Sequence, residues 1–147
     1  MPSTRQRVPA HTASRINKAI KDKIAARVEY YRTRKDEIAS RLRQLDEEWD
    51  IERAIEANAS ALAFVGTALG FFVHPYWLAI PALVTAFLFQ HAVQGWCPPV
   101  PILRRLGFRT VYEIEEESQA LKAVRGDFVG ASRGEAGAEA ALQAARG

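Results

Sequence analysis

Three groups of side chains in this 147-residue chain are of types that do chemistry. The first is Cys97, the single cysteine, followed at a short distance by Arg104 and Arg105. A thiol beside guanidinium groups can be held as thiolate, the form that attacks electrophiles and carries sulfur. The same side chain also serves as a small apolar packing group, and one cysteine alone excludes an intramolecular disulfide. The second group is His74 and His91, 17 residues apart. Along a helical path that is about 25 Å, too far to share a metal ion. His91 with Cys97 supplies two ligands, short of a closed zinc site, so neither a metal nor a cofactor is expected. The third is Glu113, Glu115, Glu116 and Glu117, just after Thr110. Thr110 and Glu113 have capping-box spacing, and acidic residues in a first turn complement the helix dipole. Solvated first-turn charge therefore explains this cluster more simply than carboxylate catalysis. No nucleophile–base pairing, P-loop or dinucleotide motif occurs. The chain reads as a non-enzyme whose one candidate reactive group is Cys97.

The elements that hold these residues are set by an uneven distribution of charge. Between Glu56 and Arg104 lie 47 consecutive residues without Asp, Glu, Lys or Arg. The segments 57–73 and 77–93 are apolar, each about 25 Å long as a helix, and His74-Pro75-Tyr76 joins them. Lipid tolerates only backbones that satisfy their own hydrogen bonds, and two spans cannot close a barrel. A transmembrane helical hairpin follows. The slightly negative mean hydropathy of the whole chain merely averages this centre with its charged flanks. Residues 1–56 hold 13 Lys/Arg and 10 Asp/Glu, residues 104–147 hold seven of each, and the turn holds none. Arg53, Arg104, Arg105 and Arg109 then place both termini in the cytoplasm. Tyr76, Trp77 and Trp96 fall where interfacial aromatics belong. The basic N-terminus has no apolar core of a secretory signal. The net charge of +3 suits an anionic leaflet and makes little case for nucleic acid.

From Ser14 to Glu56 there is no Gly or Pro, which allows one long helix. Steps of three and four pick out Ile24, Val28, Tyr31, Lys35, Ile38, Leu42, Leu45 and Trp49, a coiled-coil seam with one polar interruption at Lys35. An amphipathic helix on the membrane or folded onto its own chain fits the same pattern. Continued into the first span, the count reaches Glu52, Glu56, Ala59, Ala63, Gly66 and Gly70. The last four form a small-residue stripe with a G-x-x-x-G, which suits close helix packing in a homodimer or within the hairpin. Glu52 and Glu56 would oppose each other in a dimer unless the helix breaks or rotates near Trp49–Arg53.

One stretch carries a family resemblance. Gly70-Phe-Phe-Val-His74-Pro75-Tyr-Trp77 leads to Gly95-Trp96-Cys97-Pro98 and then Leu103-Arg-Arg-Leu106-Gly107. Over roughly residues 50–110 this resembles the YgaP-like transmembrane domain family of bacterial inner membranes. The resemblance implies a homodimerising two-span hairpin, in that family often attached to a rhodanese domain handling sulfane sulfur. No rhodanese domain is present here, so sulfur transfer does not carry over.

These readings give an all-α chain. Its parts are a disordered N-terminus (1–13), a charged amphipathic or coiled-coil helix (14–56) and a transmembrane hairpin (57–106). An amphipathic helix (107–128), closed by Gly126, and a disordered Ala- and Gly-rich tail (129–147) follow. Pro98, Pro99 and Pro101 are expected to force the chain out of helix after the second span. The expected role is a dimerising inner-membrane scaffold or anchor. The alternative is a thiol-dependent sulfur carrier or redox sensor acting through Cys97. Expected partners are the bilayer, a second copy and a soluble cytoplasmic protein.

Overall fold

The computed structural model describes residues 3–128, and among them every regular element is helical. In chain order these are α1 (Arg7–Ala10), α2 (Ser14–Arg32), α3 (Ile38–Glu47), α4 (Ile51–Phe72), α5 (Ala79–Gln94), α6 (Val100–Leu106) and α7 (Val111–Arg125). Short 3-10 turns at Lys35–Glu37 and Pro75–Leu78 precede α3 and α5. The expected tail at 129–147 lies outside the described residues. Contacts divide the chain into two units, Met1–Lys18 with Trp49–Val111, and Ala19–Glu48 with Tyr112–Gly147.

The first unit is built on α4 and α5. Asp50 caps α4 by accepting a 2.7 Å hydrogen bond from the Arg53 amide. At the far end His74 takes an extended conformation (φ −160°, ψ 138°), as the residue before a proline prefers. Its Nδ1 accepts from the Tyr76 amide, and Pro75 opens the 3-10 turn. Pro81 sits in the first turn of α5, where a missing N–H breaks no helical bond. Gly95 ends α5 in the left-handed region at φ +77°. Both helices are long and apolar enough to cross a membrane.

Gly66 and Gly70 are buried where α4 meets the start of α5. A Cβ on Gly66 would lie 2.7 Å from Pro81 Cδ, and one on Gly70 would lie 2.5 Å from Leu78 Cδ2. The close approach expected of the stripe is therefore made within the hairpin.

The expectation of disorder over residues 1–13 is corrected for the described part. Arg7–Ala10 is helical and Val8 is almost fully buried, in a core with Ile51, Ile55, Cys97, Val100 and Leu103. Val8 has only a few apolar neighbours in sequence, so periodicity could not reveal it. The prolines after α5 also behave differently from expectation. Pro99 and Pro101 stand at the N-cap and first turn of α6, starting a helix instead of preventing one. Gly107, at φ +97°, closes it: the Phe108 amide donates to the Leu103 carbonyl and the Gly107 amide to Arg104.

In the second unit the single helix expected over 14–56 is broken twice, at Thr33–Glu37 and at Glu48–Asp50. The first break falls on Lys35, the polar interruption of the seam, and leaves that ammonium group exposed. The second falls where a break was needed to avoid opposing glutamates. The seam residues pack within the chain. Ile38, Leu42 and Leu45 form a core with Leu121 of α7, against which Val28, Tyr31, Ile114 and Val124 pack. Ile24 is buried, whereas Trp49, the last position of the expected seam, is exposed.

The acidic cluster is corrected too, because Glu113 and Glu117 are buried. Glu117, with no exposed surface, accepts from Arg27 Nη1 (3.2 Å) and Arg41 Nε (2.9 Å), joining α2, α3 and α7. Helix α7 begins just after Thr110 and closes at Gly126, as expected.

Two outcomes follow. Removing one partner of a buried ion pair leaves an uncompensated charge, so Glu117→Ala should cost about 3–5 kcal/mol. Arg27 is 43% exposed, so Arg27→Ala should cost about 1 kcal/mol or less; chemical denaturation followed by circular dichroism separates the two. Gly66→Ile should lower the melting temperature of the monomer in detergent, since the new side chain meets Pro81 and Ile80. Leu62→Ile, on the outer surface, should not.

Candidate functional site

Of the groups singled out for chemistry, Cys97, His91 and Arg104 lie at the charged end of the hairpin, where the N-terminal segment docks. Arg7 Nη1 donates a 2.9 Å hydrogen bond to the Ala92 carbonyl, one of the carbonyls left open at the end of α5. The Gly95 turn makes room for this. A Cβ there would lie within 2.7 Å of Arg7 backbone atoms. A cation at a helix C-terminus also complements its dipole.

Arg104 lies beneath, almost completely buried. Its Nη2 donates to Asn17 Oδ1 (2.9 Å), Nε to Thr12 Oγ1 (3.2 Å) and Nη1 to the Phe108 carbonyl (3.2 Å). Asn17 Nδ2 in turn donates to the Pro9 carbonyl (2.9 Å). One guanidinium thus ties α6 to Thr12, in the loop between α1 and α2, and to Asn17, in the first turn of α2. This alters the reading of the arginines after the second span. Arg104 and Arg109 are buried, whereas Arg105 and Arg53 are exposed. The sequence offers no mark by which a buried arginine differs from an anchoring one. The partners Thr12 and Asn17 lie some 90 residues away.

Cys97 is buried in the apolar core with Val8, Ile51 and Val100. Burial pushes its thiol pKa up, and the hydrogen bond involving the Val100 backbone offsets this in part. Arg104 is turned toward Thr12 and Asn17, so the arginines do not create the thiolate-favouring setting that their proximity in sequence suggested.

His74 lies exposed in the turn and His91 is buried near the other end of α5, so the two histidines are separated as their spacing required. Both ring nitrogens of His91 are buried without a partner among the described residues. No group of three or more His, Cys, Asp or Glu able to hold a metal ion occurs among those residues.

Glu52, ahead of the uncharged segment 57–73, also has a buried carboxylate oxygen with no partner among the described residues. Burial holds its pKa above the ordinary value, and Asp50 adds to this, while its own backbone amide, Arg7 and Arg104 pull the other way.

Ala59 and Ala63, the upper half of the small-residue stripe, line a groove between α4 and α5 with a volume of about 550 Å³. Val84 and Leu88 form its other wall, and Trp49, Arg53 and Glu56 stand at its mouth. The sequence singled out the two alanines as a packing stripe but gave no sign of the hollow. That depends on what α5 places opposite them.

No protein-family model, curated protein or solved structure matches this chain.

The chemistry is directly measurable. Wild-type Cys97 should react with a thiol reagent far more slowly than a free thiol at the same pH, and denaturant should restore the rate. Rapid labelling of the folded protein at neutral pH would contradict its burial. Arg104→Lys should destabilise by about 1–3 kcal/mol despite keeping the charge, because an ammonium group cannot reproduce the fork of donors. For Glu52 the folded pKa is raised, so the folded state holds this proton more tightly than the unfolded state. The unfavourable contribution is absent below the unfolded carboxylate range and grows as pH rises through it to the folded pKa. Glu52→Gln should therefore stabilise the protein at pH 7 and flatten the pH dependence of its melting temperature above the ordinary carboxylate range.

Proposed function

We propose that this chain is an integral membrane anchor, a two-helix hairpin that holds charged helical segments at the cytoplasmic face of a bacterial inner membrane. The carrying observation is the exposure of apolar surface on α4 and α5. A helix that is hydrophobic all round belongs to a protein core or to lipid. Only 6% of the apolar window of α5 is buried, and 22% of that ending in α4. Phe64, Phe71, Phe72, Leu83 and Phe89 are all more than half exposed. The helices have suitable dimensions: α4 is about 33 Å long, and 75–94 spans about 30 Å. The hydroxyls of Ser60, Thr67 and Thr85 return to carbonyls of their own helix at 2.7–2.8 Å, leaving little hydrogen-bonding demand on the outside.

The anchoring role agrees with the resemblance of residues 50–110 to YgaP-like hairpins, which rests on the quoted motifs alone. Homodimerisation through Gly66 and Gly70 or through the N-terminal seam is not part of this proposal, since both surfaces face the chain's own residues. The thiol-carrier reading requires an accessible Cys97 and is disfavoured by its place in the core.

Topology is the test. In a Cys97→Ala background, single cysteines at Ala57 and Gly107 should resist impermeant reagents in intact cells, while one at Tyr76 is labelled. The reverse pattern would invert the orientation. Release of the wild-type chain by alkaline carbonate would sink membrane insertion itself.

A further inference from the structure

The groove on the hairpin has an unusual mouth. Arg53 and Glu56 are one helical turn apart, both exposed, and among the described residues they form no salt bridge with each other or with another side chain. Arg53 instead lies over the Trp49 ring, 4.7 Å from its centroid. Beyond them the walls are Ala59, Ala63, Val84 and Leu88, with no charged residue. Ser60 and Thr85 also line it, but their hydroxyls bond to the Glu56 and Pro81 carbonyls at 2.7 and 2.8 Å. A ligand for this groove therefore has a long apolar body and a head bearing one negative and one positive charge.

We infer that the groove binds a zwitterionic glycerophospholipid with a primary amine in its headgroup. An acyl chain lies along Ala59, Ala63, Val84 and Leu88, the phosphate meets Arg53 and the ammonium meets Glu56. This rests on the membrane reading given above, in which Trp49 and Arg53 stand at the headgroup level and the alanines lie deeper. Interfacial tryptophan and arginine suit that depth. The alternative occupant, a second copy of the hairpin, fits less well. A two-fold interface must be self-complementary, and two concave grooves facing each other enclose a void. The opposite charges also discriminate among lipids. An anionic glycerol headgroup leaves Glu56 facing a phosphate without a compensating cation, and a choline headgroup brings a cation with no N–H to donate.

The test uses the full chain, purified in mild detergent and exposed to equal amounts of dioleoyl phosphatidylethanolamine, phosphatidylcholine and phosphatidylglycerol. Retained lipid is counted by native mass spectrometry. Phosphatidylethanolamine should be retained about two- to fivefold over the other two, the range expected of a half-exposed charge contact. Glu56→Gln should erase its advantage over phosphatidylglycerol. Arg53→Gln should lower retention of all three, and Ala63→Phe, which fills the groove, should lower it furthest. Leu62→Phe, on the outer surface, should change nothing. Should Ala63→Phe fail to fold by circular dichroism, the exposed Glu56→Gln variant decides. Equal retention of the three lipids by wild type would overturn the proposal. So would efficient cross-linking of two Ser60→Cys chains, which would give the groove to a second copy. Flotation with liposomes separates the levels. A chain that floats without lipid preference loses the lipid site alone, and one that stays in the aqueous fraction loses the membrane reading as well.

Discussion

A run of 47 residues without a charge leaves a backbone whose polar groups must be satisfied from within, and the first unit follows from that demand. Helices α4 and α5 meet it residue by residue. The departures from helix are confined to places that cost few hydrogen bonds. Pro81 lies in a first turn, Pro75 opens the 3-10 turn, and Gly95 closes α5 where Arg7 can reach the Ala92 carbonyl. Even the hydroxyls are turned back onto their own helices. The small residues follow from the same geometry. Two helices joined by a short turn approach most closely beside it, so Gly66 and Gly70 lie there without side chains. Farther from the turn, Ala59 and Ala63 no longer fill the space, and a groove opens.

Charge appears at the base of this hairpin in a different role. Arg104 is buried where Thr12 Oγ1, Asn17 Oδ1 and the Phe108 carbonyl accept from it. Fully hydrogen-bonded, a buried guanidinium organises its neighbours; unpartnered, it would be strongly destabilising. The second unit uses the same device with opposite sign. Glu117 sits beneath two arginines, beside an aliphatic core of Ile38, Leu42, Leu45 and Leu121. In both units a buried charge links segments distant in sequence. By contrast, Glu52 and His91 keep buried polar atoms without partners, and the raised pKa of Glu52 expresses that cost.

The burial of Cys97 bears on function by narrowing it. A lone cysteine after an apolar span invites a chemical reading, and nearby arginines strengthen it. Once the arginine is engaged elsewhere and the thiol lies among Val8, Ile51 and Val100, the residue is part of the packing. What the molecule presents outward is apolar helix surface and a groove with a charged mouth. Those are the features on which the proposed membrane anchor rests.

The sequence by itself determined the elements with local causes. These include the helical class, the limits of the uncharged segments, the turn at His74-Pro75, the closure of α7 at Gly126 and the alternating pattern of aliphatic side chains. Hydropathy, proline geometry and heptad spacing all act within a few residues, so they can be read without a fold. A local signal also existed for the α4 start, where Asp50 stands as an N-cap, although the unbroken seam masked it. Only tertiary structure decided what each face meets. The seam could serve another chain or its own, and within the chain Leu121, 76 residues beyond Leu45, fills the same core. The stripe could pack two hairpins or one, and Pro81 and Leu78 occupy it. Arg104, Glu117 and Val8 look like surface residues in sequence because their partners come from distant segments. Burial of a charge depends on acceptors assembled around it, and no spacing rule along the chain records them.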